Sequence, residues 1–368
     1  MKIEIEKKDL IALIGKTQNI VEKRNTLPIL VNVLLEADKA ELKVFATDME
    51  VSLTDSVKCK VNQAGKVAVS AKSLFDITKE LAEGPIQLIK KENNWLEIRQ
   101  GKYMSKIVGV SADEYPVFPT YNASSFMPVE AQTFKEMIDK TIYSVSNDET
   151  RYHLNGVYFE VQPDKGFKMV ATDGHRMSLV SRKGSSGKSS PNQGVIIPRK
   201  GLHEIRKILE GVEGTVEIAI EGSQFIMKSN SATLMIRLIE GKYPNYQQFI
   251  PSKLTQKVMI DREQFLTSIK RVSLLANQKS RAVLLNLSKG KMEISSNNPE
   301  LGDAKEEIEV DYQGAEMKIG FNAKYIQDVL NSMNQEKVDF ELNDGLSPGL
   351  MRPHDDASYT CVVMPMRI

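Results

Sequence analysis

The sequence predicts an α+β protein built from three repeats of one domain, each an antiparallel sheet backed by two helices. Two observations carry most of that expectation. The segments "LKVFATDMEVSL" (42–53) and "FKMVATDGHRMSL" (167–179) share a Lys followed by Ala-Thr-Asp in the same register, and self-similarity at a fixed spacing marks a repeated structural unit. A fainter copy, "MEISSNNPEL" (292–301), puts Asn298 where the others have Asp48 and Asp173, at two equal spacings of 125 residues. The third observation is size: 368 residues are too many for one ordinary core, and a 41% hydrophobic content can fill several.

Each repeat opens on an apolar stripe at helical spacing. The stripe is Leu10, Leu13, Ile14, Thr17 and Val21 in the first; Phe134, Met137, Ile138, Thr141 and Val145 in the second; and Phe265, Ile269, Val272 and Ala276 in the third. A second helix follows in "SAKSLFDITKEL", "IPRKGLHEIRKIL" and "FNAKYIQDVLNSM", with Lys72, Lys200 and Lys324 in matching places. The six helices are expected over 7–24, 70–83, 130–146, 198–210, 261–281 and 322–333. Between them lie short alternating strands such as "KVAVS", "TVEIAIEG" and "QFIMKS", with turns expected at Gly65, "KENNW" and "EGSQ". Two repeats close on Tyr-Pro, in "DEYPVFP" and "GKYPNYQQFIP", where proline ends regular structure. The domains are therefore expected at 1–123, 124–252 and 253–368.

Several functions are disfavoured by what the motifs lack. The start, "MKIEIEKKDL", alternates apolar and charged residues, which argues against a signal peptide, and no 18-residue apolar run follows; an intracellular, cytoplasmic protein is expected. Cys59 and Cys361 are far apart, without the spacing of a zinc site or a disulfide framework. His153, His175, His203 and His354 lack metal-ligand spacing, so no metal or cofactor is expected. "GSSGKSSPNQG" (184–194) has two residues between Gly184 and Gly187 where a phosphate-binding loop needs four, and reads as a surface loop. The cluster Asp173, Gly174, His175, Arg176 invites an acid–base reading. Yet "ATDMEVSL" fills the equivalent place without a histidine, so Asp173 is first of all a turn residue.

Charge is unevenly distributed. The chain carries a net +1, whereas the six helical segments sum to +6 and the remainder to −5. The same polarity on repeated helices suits one surface facing a polyanion. Few aromatic residues accompany these charges and no recognition-helix pattern is present, so phosphate contact without base readout is expected.

Taken together, the three repeats, "VATDGHRMSLV", "GKYPNYQQFIP" and the terminal "VVMPMRI" resemble the bacterial DNA polymerase III β subunit family, the sliding clamps, over the full chain. The resemblance implies the DNA-clamp fold: a head-to-tail homodimeric ring, helices inside and sheets outside, that encircles double-stranded DNA without sequence preference and tethers the replicative polymerase. It implies no catalysis, and as partners the polymerase, the clamp loader and other proteins with a clamp-binding motif. A size argument agrees. A domain of this length has a radius of gyration of roughly 14 Å, so three in a ring leave a hole of about 5 Å and six leave about 35 Å, which only the larger can pass a duplex.

The family's partner-peptide pocket maps onto Leu154, Thr172, Gly174, His175, Arg176 and Met177; onto Pro244, Gln248 and Phe249; and onto Asn322, Tyr325, Leu346, Pro348, Val362, Met364, Pro365, Met366 and Arg367. On this resemblance, Met364, Pro365 and Met366 form part of an apolar floor, and His175 and Arg176 supply polar contacts at its edge. Gln248 stands where the family often has arginine, and Pro348 and Pro353 enter the segment that rims the pocket. For DNA, the resemblance and the charge count favour Arg24, Lys72, Arg151, Tyr152, Lys200 and Arg281. Two other functions compete: an enzyme using Asp173 with His175, and an open-faced nucleic-acid binder held by charge. The first is disfavoured by the histidine-free repeat, the second by the absence of a strongly basic patch.

Overall fold

The computed structural model of the chain describes residues 1–21, 27–122, 126–162, 166–184, 194–252 and 254–367. Six helices are present: α1 (Lys7–Gly15), α2 (Ala71–Glu80), α3 (Ala131–Asp139), α4 (Arg199–Ile208), α5 (Arg262–Val272) and α6 (Ala323–Asn331). All six expected helices exist, but the first helix of each repeat is shorter than its stripe. The hydroxyl of Thr17 turns back on the Ile14 carbonyl at 2.7 Å, and that of Thr141 on the Met137 carbonyl at 2.8 Å. These side-chain bonds compete with helix continuation, and the chain goes on as turns and 3-10 segments at Ile142–Ser144 and Ser273–Leu275. Ile20, Val145 and Ala276 remain buried beyond the ends. Apolar spacing therefore overstated helix length, and it marked burial except at Val21, which is half-buried beside the buried Ile20. Counted over the observed helices, the net charge is +5.

Helix starts follow the sequence closely. Ser70 caps α2 by accepting from the Ser73 amide (3.2 Å), and Asp261 caps α5 through the Gln264 amide (2.7 Å). Such caps satisfy amides that have no partner inside the helix. Gly65 departs from expectation: it begins the strand Gly65–Ser70 instead of forming a turn. A Cβ there would lie 2.9 Å from the Met1 nitrogen, so glycine permits a close approach of two backbones.

Contacts divide the described residues into two compact units, 1–135 with 200–238, and 136–184 with 194–199 and 239–367. The first unit holds a five-stranded and a nine-stranded sheet, the second an eight-stranded and a four-stranded one. Each large sheet joins strands from successive repeats. In the first unit Val51–Lys58, which follows the first Ala-Thr-Asp turn, pairs antiparallel with Ala232–Arg237, with Val51 opposite Ile236 and Leu53 opposite Leu234. In the second unit Arg176–Arg182 pairs in the same sense with Tyr359–Val363, with Arg176 opposite Val363 and Ser178 opposite Cys361.

The corresponding strand of the third repeat, Gly302–Glu309, ends its sheet, as does Tyr103–Ile107, the last long strand of the first repeat, which only the two-residue strand Gly109–Val110 follows. Among the described residues, no helix is long and apolar enough to cross a membrane.

Candidate partner-peptide site and DNA-facing residues

The turns at Asp48, Asp173 and Asn298 are each closed by that residue's own side chain. Asp173 Oδ1 accepts from the amides of His175 (2.9 Å) and Arg176 (3.0 Å). Asp48 Oδ1 accepts from Glu50 (2.9 Å) and Val51 (2.6 Å), and Asn298 accepts from Glu300 (3.0 Å). A carboxylate or amide closing its own turn explains the recurrence. The second Asp173 oxygen takes Arg176 Nε at 3.1 Å. Both oxygens are thus occupied by the turn and its arginine, and nothing prepares Asp173 to act on the His175 ring.

Around this turn the second unit gathers an apolar floor. Leu154, Met177 and Val362 are buried together with Val170, Ile196, Tyr243 and Tyr246, and Thr172 is buried beside them with its hydroxyl donating to the Arg176 carbonyl at 2.7 Å. Met177 and Val362 sit opposite one another in the paired strands. Burial pushes the Tyr243 phenol well up, and burial with the Glu160 charge raises Tyr246 to about 12.

The tail is tied on by its backbone. Met364 donates its amide to the His175 carbonyl (2.9 Å) and Met366 to the Gly320 carbonyl (2.8 Å). Tyr325, from α6, stacks on the His175 ring with centroids 6.4 Å apart.

The residues expected here divide into floor and rim. Leu154, Thr172, Met177 and Val362 are floor. Met364 is 38% exposed, Phe249 52% and Leu346 73%, so these apolar side chains are open to solvent. The expectation that Met364, Pro365 and Met366 belong to the floor is corrected: Met364 is exposed, and Pro365 and Met366 are half-buried, on a tail whose backbone continues the strand pairing to the His175 carbonyl and bridges to Gly320.

Pro244, Tyr325 and Pro348 are half-buried, and Gly174, His175, Gln248 and Arg367 are exposed. Leu346 lies in a turn closed by Asp344, which accepts from the Leu346 and Ser347 amides. Asn322 has its polar atoms committed, its oxygen capping α6 at the Lys324 amide (2.9 Å) and its nitrogen donating to the Ser280 carbonyl (3.2 Å). Arg176 is likewise engaged inside the protein, through Asp173, Asp328 and the Tyr143 carbonyl. Asp328 and Tyr143 were missed by sequence reasoning, since they lie 152 and 33 residues from Arg176 and no local pattern links them.

Of the DNA candidates, Lys72, near the start of α2, and Arg281 are exposed, and Tyr152 is 56% exposed. Arg281 borders a surface cavity lined also by Leu274, Asn277, Gln278 and Lys324. Arg151 pairs with Asp148 at 2.9 Å, and its guanidinium lies so near Gly174 that a Cβ at that glycine would approach it to 2.8 Å. Lys200 reaches the buried Asp48 carboxylate at 2.5 Å and is 29% exposed, so its charge is shared with the first Ala-Thr-Asp turn. Arg24 and residues 185–193 of the glycine-serine loop fall outside the described residues. No group of three or more potential metal ligands occurs among the described residues.

Repeated domains joined sheet to sheet, turns that organise backbone, and an apolar floor with an exposed methionine and aromatic rim define a binding protein of the clamp fold. The chain belongs to the DNA polymerase III beta subunit family: models of its N-terminal, central and C-terminal domains match residues 1–119, 128–245 and 247–367. It is 33% identical to the beta sliding clamp of Pseudomonas putida over 371 residues, covering all of both chains. The sliding clamp of Bartonella birtlesii, solved bound to griselimycin, superposes with a TM-score of 0.95 at 31% identity over the full length of both chains. That of Bacillus subtilis superposes with a TM-score of 0.96 at 28% identity, over all of this chain and 99% of the other.

Proposed function

We propose that the chain is a non-catalytic processivity factor: two copies close a ring around double-stranded DNA, and each holds short linear segments of the replicative polymerase, the clamp loader and other partners. The observation that carries the ring is the repeated joint. Each joint pairs the strand after the repeated turn with the last long strand of the next repeat, and one strand of each kind, Gly302–Glu309 and Tyr103–Ile107, is at a sheet edge.

The register of the existing joints extends to these edges. Leu301 corresponds to Val51 and Arg176 by the 125-residue spacing, and Val108 corresponds to Ile236 by position before Tyr115-Pro and Tyr243-Pro. Leu301 of one copy then opposes Val108 of the other, and Asp303 opposes Lys106. Leu301 is 53% and Val108 62% exposed, apolar surface that such pairing would cover. A heterologous contact of this kind forms a ring when its rotation closes, and two copies, six domains, leave the hole of about 35 Å that a duplex needs.

For the peptide site we assign the floor of Leu154, Thr172, Met177 and Val362 and the rim of His175, Phe249, Leu346 and Met364. Apolar pockets with adaptable methionines suit several linear motifs. Lys72, Arg151, Tyr152, Lys200 and Arg281 are assigned to DNA as weak, sequence-independent contacts. Domain borders near 123 and 252 fit the next elements, Met127–Glu130 and Gln256–Asp261. A cytoplasmic location follows from the DNA partner.

Retention on DNA tests the ring. The loaded protein should stay on a nicked circle at moderate salt and leave once the circle is cut to a linear form. Equal retention on both forms overturns encirclement.

A further inference from the structure

We propose that Arg176 is a positioning residue of the peptide site, which holds the 173–175 turn against α6 and does not itself contact the bound segment. The proposal rests on the peptide-binding function above. Its basis is that each of the three guanidinium nitrogens donates to an acceptor inside the protein. Nε donates to Asp173 at 3.1 Å, Nη1 to Asp328 at 2.6 Å and Nη2 to the Tyr143 carbonyl at 2.6 Å. One face lies over the Tyr325 ring at 4.6 Å, and the Tyr143 ring is 5.4 Å away. The side chain is 11% exposed, which leaves little of it for a ligand.

Each partner of Arg176 is itself fixed. Asp328, 13% exposed, gives its other oxygen to Lys324 at 2.5 Å on the solvent side. Tyr143 is anchored by its hydroxyl in a network beneath the paired strands. Its oxygen lies 2.9 Å from the Tyr359 hydroxyl and 3.3 Å from Cys361 Sγ, and accepts from Ser178 at 2.7 Å. Ser178 pairs with Ser144 at 2.7 Å, and the Tyr359 hydroxyl meets Ser332, just after α6, at 2.6 Å.

Arg176 therefore ties together three segments: the turn carrying His175, the helix carrying Tyr325, and the 3-10 segment Ile142–Ser144. His175 in turn holds the tail through its carbonyl bond to Met364. Fork-shaped arginine fits this task and lysine does not, since lysine cannot serve three acceptors in one plane.

A site held ready and a site touched by the ligand differ in kinetics. If a variant lowers the fraction of molecules with the turn in place, the association rate falls by that fraction and dissociation is unchanged. Loss of a direct contact instead raises dissociation. The experiment is stopped-flow binding of a fluorescein-labelled peptide copied from the clamp-binding motif of the replicative polymerase, using the full-length dimer. Arg176→Lys and Asp328→Asn are each expected to slow association about tenfold with dissociation within twofold, and the double variant to be no worse than either single one. Lys324→Gln should change neither rate by more than about twofold.

Amide hydrogen exchange at Gly174 and His175, measured without peptide, should accelerate in both variants. This second reading separates the two ideas: a wild-type protein that binds no peptide defeats the proposed function, while faster exchange in Asp328→Asn still supports the strut. Faster dissociation with unchanged association, or unchanged exchange in Asp328→Asn, overturns it. If Arg176→Lys fails to fold, Asp328→Asn decides alone.

Discussion

The two joints of the chain share one strand pairing and differ in the residues that meet on each face. At the first, Ser52 opposes Met235 and Leu53 opposes Leu234; at the second, Met177 opposes Val362 and Ser178 opposes Cys361. Because alternate residues of a strand face opposite sides of the sheet, the second joint has its apolar pair on the side of the turn and its polar pair beneath. The first has the reverse on its underside, where Leu53 and Leu234 are fully buried. On the turn side the Thr47 and Ser52 hydroxyls bond each other at 2.7 Å.

The turns differ too. Met49, at φ 76°, stands where the second joint has Gly174, and Arg237 stands where it has Met364. The same joint thus takes two forms: in the first unit it borders a surface cavity lined by Met49, Ser52, Met235 and Arg237, and in the second an apolar cluster lies on one face of the paired strands and a hydroxyl network on the other.

The largest effect should come from deleting Met364–Ile368. This removes the amides that bond the His175 and Gly320 carbonyls, together with the partly exposed Met364. With about 1.5–3 kcal/mol for a fully buried side chain of this size, the loss from two partly buried methionines is about 3 kcal/mol, or roughly 100-fold in affinity. Peptide titration alongside sedimentation should show weak binding in an intact dimer.

Giving the second joint the residue of the first, by Gly174→Met, should come next. Gly174 has φ 88°, and a side chain there would meet Arg151. A cost of about 1–2 kcal/mol in stability is expected from the left-handed backbone, with about tenfold weaker peptide binding from displacement of the turn. Unchanged affinity would break the contrast between the joints. His175→Ala should do less, a few-fold in peptide affinity with thermal stability retained, because the first repeat builds the same turn without a histidine.

The smallest effect is alkaline. Burial raises the Tyr143 and Tyr359 phenols above their ordinary value of 10.0. A raised folded-state value stabilises the fold fully below the unfolded value, and that contribution is lost as pH rises from there toward the folded value. Going from pH 8 to 10 should therefore cost about 0.4 kcal/mol per phenol. Urea unfolding followed at the two pH values checks it, and Tyr143→Phe should reduce the dependence.

Much of the fold was legible because it repeats. The equal spacing of Asp48, Asp173 and Asn298 located the turns, and the apolar stripes located the cores. What the stripes could not reveal was where each helix stopped, because Thr17 and Thr141 end their helices through hydroxyl bonds to nearby carbonyls while burial continues. The peptide-site residues came from the family resemblance, and their division into floor and rim required coordinates. Met364 and Met366 are identical in type but differ in exposure, one bonded through its amide to the 173–175 turn and the other to Gly320. The Arg176 strut was hidden for a related reason: its acceptors come from three distant segments.

The contrast between the joints is tested most directly by counting peptides and locating them. A titration of the clamp-binding-motif peptide into methyl-labelled protein, followed by calorimetry and methionine methyl resonances, gives both. The account predicts one peptide per chain, with shifts at Met177 and Met364 and none at Met49 or Met235. Two peptides per chain, or shifts at Met49 and Met235, would contradict it.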